Sequence, residues 1–212
     1  MPIVRHIIVC EGNSERSYIQ SLQRFLESLP VAGDSWGVPL QFITSNGHVA
    51  NGGHYTQLKK CYLKTKKQNR NVEVCVWADF DLFYRDTNGC WRLYAGRGRG
   101  VTEFHFSFHN FEDFLALHLD GENLETWLRF GREGHFSQPR HSTECLEWSS
   151  RVFESYQKGV LPSDFVTLQS LRNLKANLSL QPRSNPHGVG ELKTFAEFII
   201  GEIERFHPDV LK

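Results

Sequence analysis

The chain has 212 residues, a length that predicts one domain or one domain with a sizeable elaboration and excludes a multi-domain machine. With 40% hydrophobic and 23% charged residues, it is too apolar for an intrinsically disordered protein. Lys plus Arg equals Asp plus Glu at 24 each, so the formal net charge of zero argues against binding nucleic acid through charge spread over the whole chain.

The first 120 residues predict alternating strands and helices. An apolar run rich in Ile and Val, typical of a strand buried on both faces of a parallel sheet, opens the chain. Gly12 then permits a sharp turn into a helix that Asn13 or Ser14 can cap and that stops at Pro30. The remaining predicted elements of this part follow in chain order: strand 39–44, helix 55–69, strand 72–78, a loop or hairpin over 85–100, a strand from 101 and helix 111–119.

Beyond residue 120 the signals are mainly helical. The predicted helices of this part are 124–130, 141–157, 164–178 and 189–206. The expected fold class is therefore α/β, a parallel sheet flanked by helices, with a core over 1–120 and a mainly helical part over 121–212 packed on it.

Cysteine usage and hydropathy indicate the compartment. The five cysteines are odd in number and include no C-x-x-C pair, which fits a reducing environment. No run approaches the roughly 18 apolar residues of a membrane span. We therefore expect a cytoplasmic protein without a membrane partner.

Acidic residues follow the two strongly apolar strands. Glu11 and Glu15 come after the first, and Asp79 and Asp81 come after the strand at 72–78. If these strands are neighbours, the four carboxylates converge at the carboxyl edge of the sheet, where a divalent cation offsets their repulsion. Hard oxygen ligands without a His or Cys pattern favour Mg²⁺ or Mn²⁺. The alternative is that Glu15 only complements the helix dipole and that the two aspartates are turn residues.

Five short segments carry a resemblance to a known family. In chain order they are Cys-Glu-Gly-Asn-Ser-Glu at 10–15, Trp-Ala-Asp-Phe-Asp at 77–81, Ser-Phe-His-Asn-Phe-Glu-Asp-Phe-Leu-Ala-Leu-His at 107–118, Lys-Ala-Asn at 175–177 and Asn-Pro at 185–186. The ordered set resembles the RloB-like family, TOPRIM-fold nucleases of bacterial defence loci. Where the family has Asn-Pro before its Phe-Glu, this chain has Phe108-His109.

The resemblance implies a TOPRIM-like sheet and a metal-dependent endonuclease. It assigns Glu11, Asp79 and Asp81 to one or two Mg²⁺ or Mn²⁺ ions, with Glu15 available to a second ion and Glu112 as a further acidic group. A helix-dipole role is the alternative for Glu112. The expected target is DNA or structured RNA such as tRNA. The expected role is a toxic effector of anti-phage defence, restrained until a partner, such as a neighbouring ATPase, or a phage signal releases it.

Basic residues supply a candidate surface for a polyanion. The zero net charge is a sum of unlike parts: residues 1–70 contain nine basic and four acidic residues, whereas residues 101–150 contain three basic and nine acidic residues. A local basic surface is therefore compatible with it. Its candidate nucleic-acid contacts are Lys59, Lys60, Lys64, Lys67, Arg97 and Arg99. His109 is a candidate phosphate contact, His105 is expected to be a packing or polar surface group, and His118 is expected to be a core histidine. A solvated helix face is the alternative for the lysines.

Two other functions remain open at the level of sequence. The chain could be a non-catalytic subunit that keeps the fold and binds nucleic acid or an ATPase. It could also be a different Mg²⁺-dependent phosphoryl-transfer enzyme, such as a phosphatase or a primase-like synthase, although 212 residues leave little room for template handling.

Overall fold

A computed structural model describes residues 4–29, 40–44, 55–80, 103–107, 110–132, 157, 159–180 and 193–212. Its elements in chain order are strand β1 (Val4–Cys10), helix α1 (Asn13–Ser28), strand β2 (Leu40–Thr44), helix α2 (Tyr55–Gln68), strands β3 (Glu73–Asp79) and β4 (Phe104–Ser107), helices α3 (Phe111–Ala116), α4 (Gly121–Arg132) and α5 (Leu168–Asn177), a 3-10 turn (Leu178–Leu180) and helix α6 (Phe195–Phe206).

The four strands form one parallel sheet in the order β2-β1-β3-β4. In this register Ile8 of β1 lies between Thr44 of β2 and Cys75 of β3, and Asp79 at the end of β3 pairs with Ser107. The predicted α/β class with a parallel sheet flanked by helices is confirmed. The order also makes β1 and β3 neighbours, the arrangement on which the predicted meeting of acidic residues depends.

Both faces of the sheet are covered, which explains why its central strands are continuous apolar runs. Ile8 and Cys10 of β1 pack into a large core shared with α1, α3, α5 and α6. Ile7 and Val9 point to the opposite face, where α2 contributes Leu58 to a second core. Helices from the part predicted over 121–212 thus share a core with the first strands.

The start of α1 differs from the predicted cap. Gly12 is the N-cap residue in extended backbone, and no side-chain hydrogen bond caps the helix. Asn13 and Ser14 lie inside the first turn, so the prediction that one of them caps α1 is wrong. Ser14 Oγ accepts instead from the backbone N–H of Gly159, 3.0 Å away.

The start of α6 is also later than its hydrophobic pattern predicts. Residue 193 is already outside the helix, because its carbonyl accepts from Phe106 N at 2.9 Å on the edge of β4. Thr194 forms a parallel bridge with Phe106 and caps α6 by accepting from Glu197 N at 3.2 Å. The loop predicted over 85–100 and all but the last residue of the helix predicted over 141–157 lie outside the described residues. That last residue, Gln157, forms an isolated bridge with Val160.

The described helices were also compared with the requirements of a membrane span. None of them combines the necessary length with sufficient apolar character.

Candidate functional site

The carboxyl ends of the four strands share one edge of the sheet because all four are parallel. From β1 the chain crosses to β2 on one side, and from β2 it crosses back to β3 on the other side of β1. The boundary between β1 and β3 is therefore the topological switch point, where open α/β sheets place their ligands. Glu11 directly follows β1 and Asp79 ends β3, so both acidic residues lie at this point.

A direct contact joins these two residues. Glu11 Oε2 accepts a hydrogen bond from the backbone N–H of Asp79 at 2.9 Å. The backbone N–H of Glu11 donates to Trp77 O at 3.2 Å, which extends the β1–β3 ladder by one residue. Both the main chain and the side chain of Glu11 are thus held against the end of β3. Glu11 and Asp79 are partly exposed, as a group that meets a ligand must be.

Glu15 folds back over the turn that links β1 to α1. Its side chain is buried at 4% exposure, and a Cβ built on Gly12 would lie 2.9 Å from Glu15 Oε2. A glycine at position 12 therefore gives this carboxylate the space it occupies. Burial raises the pKa of the Cys10 thiol, and the negative charge of Glu15 raises it further. Glu15 also lies in the first turn of α1, where it complements the helix dipole, so the two readings of this residue coexist.

Glu112 lies at the start of the helix that follows β4, the strand next to β3. It is buried at 5% exposure in the first turn of α3, which follows β4 after a short connection. Asn110 caps α3 by accepting from Asp113 N at 3.0 Å. At the end of β4, Ser107 Oγ accepts from the indole N–H of Trp77 at 2.8 Å and ties this strand end to β3. Three neighbouring strands, β1, β3 and β4, are therefore each followed or ended by an acidic residue.

The chemistry of these donors fits Mg²⁺ or Mn²⁺. Such ions take hard oxygen ligands and are usually bound through one or two carboxylates, with water and substrate completing the shell. Glu11 and Asp79 supply that number. Among the described residues, no group of three or more His, Cys, Asp or Glu is arranged to hold a metal ion. Asp81, the other predicted ligand after β3, lies outside the described residues, as do His109, Arg97 and Arg99.

The predicted lysines are distributed along α2 rather than gathered around the acidic residues. Because β2 ends at the carboxyl edge and β3 begins at the amino edge, α2 runs from the first edge towards the second. Lys59 and Lys60 lie in its first half, and Lys64 and Lys67 lie in its second half. Lys66, which is next to Lys67, forms an ion pair. Its Nζ lies 3.0 Å from Oε1 of Glu103, the residue immediately before β4.

His118 is a core group, as expected from the sequence, and the partly buried His105 packs on α6. His118 Nε2 is 2.9 Å from the Tyr18 hydroxyl, and His105 stacks on Phe198 with ring centroids 4.4 Å apart. Burial lowers the pKa of each imidazole from 6.5 to about 4. Both are therefore neutral at pH 7 and fill space between the sheet and its helices.

A row of serines on α1 was not recognised from the sequence. Ser14, Ser17 and Ser21 accept hydrogen bonds of 2.9–3.0 Å from a segment that we call the strap, residues 159–166. The strap begins at a tight turn in which Gly159 has a φ of +88°, and its first contact is with the first turn of α1. The strap therefore starts next to the turn that carries Glu11 and Glu15. The only sequence signal is the spacing of the three hydroxyls on one helix face.

The segment at 175–177, which contributes to the family resemblance, has a structural role. Asn177 Nδ2 donates to Leu117 O at 3.0 Å and to Leu119 O at 3.1 Å, and Asn173 Nδ2 donates to His118 O at 3.0 Å. These carbonyls follow the carboxyl end of α3, where helix carbonyls lack intrahelical partners. The two asparagines of α5 thus fix the far end of the helix that carries Glu112.

The fold and the site define an α/β protein with acidic residues at the switch point of a parallel sheet. No protein-family model, curated protein or solved structure matches the chain.

Proposed function

We propose that this protein is a TOPRIM-type, metal-dependent endonuclease that hydrolyses phosphodiesters of DNA or of structured RNA such as tRNA. The observation that carries the proposal is the 2.9 Å contact between Glu11 Oε2 and Asp79 N at the switch point. It joins two carboxylate-bearing residues from neighbouring strands where an α/β sheet binds its ligand. The family resemblance of the segments around these residues supports the same assignment.

In this proposal Glu11 and Asp79 hold the cation, and Asp81 and Glu15 are the further candidate ligands. A bound Mg²⁺ or Mn²⁺ would stabilise the charge that develops on the scissile phosphate and would activate a water molecule. Glu11 is oriented in advance, because its Oε2 already accepts from the backbone of β3. Glu112 is the additional acidic group, and burial in the first turn of α3 restricts its movement.

The wider role follows from the resemblance. It favours a toxic effector of anti-phage defence that is restrained until a partner, such as an ATPase encoded nearby, or a phage signal releases it. Lys59, Lys60, Lys64, Lys67, Arg97 and Arg99 are the proposed nucleic-acid contacts, and His109 is the proposed phosphate contact. The protein is proposed to act in the cytoplasm.

Cleavage assays test the catalytic assignment. Purified wild type, Glu11→Gln and Asp79→Asn are incubated with plasmid, single-stranded DNA and total tRNA in Mg²⁺ or Mn²⁺, with and without the neighbouring gene product. Glu125→Gln is the matched control, because it removes an exposed carboxylate that pairs with the surface residue Arg129. We expect both site variants to lose at least about 100-fold in rate, the scale seen when metal-site groups are removed, and the control to cleave like wild type.

Two outcomes contradict the proposal. Cleavage that persists undiminished in Glu11→Gln and Asp79→Asn would exclude these residues as the catalytic site. Nucleic-acid binding without cleavage under every condition, unaffected by the metal, would instead favour the non-catalytic binding subunit.

A further inference from the structure

The outer face of α2 has an unusual charge distribution. The helix contains five lysines and no acidic residue, although the chain as a whole has equal numbers of acidic and basic residues. Lys60, Lys64 and Lys67 are exposed and follow one another at helical spacings of four and three residues. We call these three residues the lysine row.

The lysine row points directly away from the sheet. Leu58, Tyr62 and Thr65 are buried and face the second core, at 0%, 3% and 4% exposure. Each member of the row lies two residues after one of these positions, which is about 200° around a helix with 3.6 residues per turn. The packing of α2 on the sheet therefore fixes the row on the outer surface.

Like charges at these spacings destabilise a helix. Leu63, which is 52% exposed, lies beside the row and adds apolar surface there. Neither feature stabilises the packing of α2 on the sheet. Both are compatible with a surface that binds a polyanion.

The direction of α2 links the row to the candidate site. The helix begins at the carboxyl edge, where Glu11 and Asp79 lie, and runs towards the amino edge. At 1.5 Å per residue, its 14 residues extend over about 21 Å. With about 3.4 Å per nucleotide along one strand of a duplex, that length matches about six phosphates.

We propose that the lysine row binds the phosphate backbone of a polynucleotide that extends from the acidic edge along the outer face of α2. This inference rests on the proposed function and adds a substrate class to it: a nucleic acid that continues for about six or more nucleotides on one side of the cleaved bond, rather than a nucleotide or a very short oligonucleotide. Nucleic acid is favoured over an acidic protein because α2, the helix that carries the row, begins at the edge of the proposed phosphodiester site.

Binding is measured without metal so that it does not depend on cleavage. Fluorescence anisotropy with labelled 6-, 12- and 30-nucleotide DNA and RNA, in EDTA and over a range of KCl concentrations, gives the Kd and its salt dependence. The row variant is Lys60→Glu/Lys64→Glu/Lys67→Glu, and a second version with Gln at the three positions avoids excessive helix charge. The control, Arg24→Glu/Arg129→Glu/Arg205→Glu, changes the net charge equally at exposed residues of α1, α4 and α6.

We expect affinity to rise from the 6-mer to the 30-mer. The Glu row variant should weaken binding of the 30-mer by at least about 30-fold near 100 mM salt, and each lost phosphate contact should reduce the salt slope by about 0.7 to 0.9. The Gln variant should show a smaller loss in the same direction, and the control should stay within about 3-fold of wild type.

Three results would overturn the inference: a row variant that binds like the control, an affinity independent of length, or equally tight binding of polyglutamate of the same charge. The last result would indicate an acidic protein partner instead. Failure of the proposed nuclease function gives a different pattern, in which row-dependent binding persists but wild type cleaves nothing.

Discussion

Acidification should destabilise this fold because His118 is held neutral in its core. Its Nδ1 lies 3.3 Å from Phe114 O, which can only accept, so Nδ1 carries the proton and Nε2 accepts from the Tyr18 hydroxyl. Burial lowers the pKa of His118 from 6.5 to about 4. Between these values the unfolded chain binds a proton that the native chain does not, so the free energy of unfolding falls as the pH falls from about 6.5 towards 4.

The size of this effect follows from the two pKa values. Their difference is worth about 3 kcal/mol in full, of which about 2 kcal/mol is lost between about pH 7 and about pH 4.5. Urea unfolding, followed by tryptophan fluorescence at several pH values, compares wild type with His118→Gln, whose amide does not titrate. Other titrating groups contribute to both proteins and cancel in the difference.

We expect His118→Gln to be less stable than wild type at pH 7 and to lose about 2 kcal/mol less than wild type on acidification to about pH 4.5. NMR titration of the His118 ring protons should show no transition between about pH 7 and about pH 5. Equal losses of stability in the two proteins, or an ordinary histidine titration near pH 6.5, would refute the reasoning.

Two further predictions concern α1. Gly12→Ala should cost about 1–2 kcal/mol of unfolding free energy, because its Cβ meets the Glu15 carboxylate at 2.9 Å and Ala is a poor N-cap. When urea unfolding is measured in a Glu15→Ala background, Gly12→Ala should lower the free energy of unfolding by clearly less than it does in wild type. An equal decrease in the two backgrounds would contradict this explanation. Ser21→Ala should lose about 1–3 kcal/mol because Val166 N is left without its 3.0 Å acceptor, whereas the exposed control Ser28→Ala should change stability by less than about 0.5 kcal/mol. Similar unfolding midpoints for the two serine variants would argue against an energetic role of the strap.

The sheet and the meeting of Glu11 with Asp79 could be predicted because their signals are local. Ile7, Ile8 and Val9 form a continuous apolar run, which in an α/β protein indicates a strand covered on both faces. The two acidic residues each directly follow or end such a strand. The sequence does not show that β1 and β3 are adjacent in the sheet, so this had to be assumed. The pairing of β1 with β3 confirms the assumption.

Other features depend on contacts between distant parts of the chain. The hydrogen bond from Gly159 N to Ser14 Oγ spans 145 residues, so no local pattern could indicate that a serine in α1 accepts from the strap instead of capping the helix. Likewise, the helical pattern before α6 is interrupted because Thr194 pairs with Phe106 on the edge of β4. Tertiary pairing thus overrode a local signal at both positions.

Calorimetric titration of Mn²⁺ into the purified protein tests the central claim most directly, because the claim is that Glu11 and Asp79 form a divalent-cation site. Wild type should bind Mn²⁺ saturably, and Mg²⁺ should compete for the site. Binding should be abolished in Asp79→Asn, weakened at least about 10-fold in Glu11→Gln and unchanged in the surface control Glu125→Gln. Equal Mn²⁺ affinity in wild type and in both site variants would contradict the account.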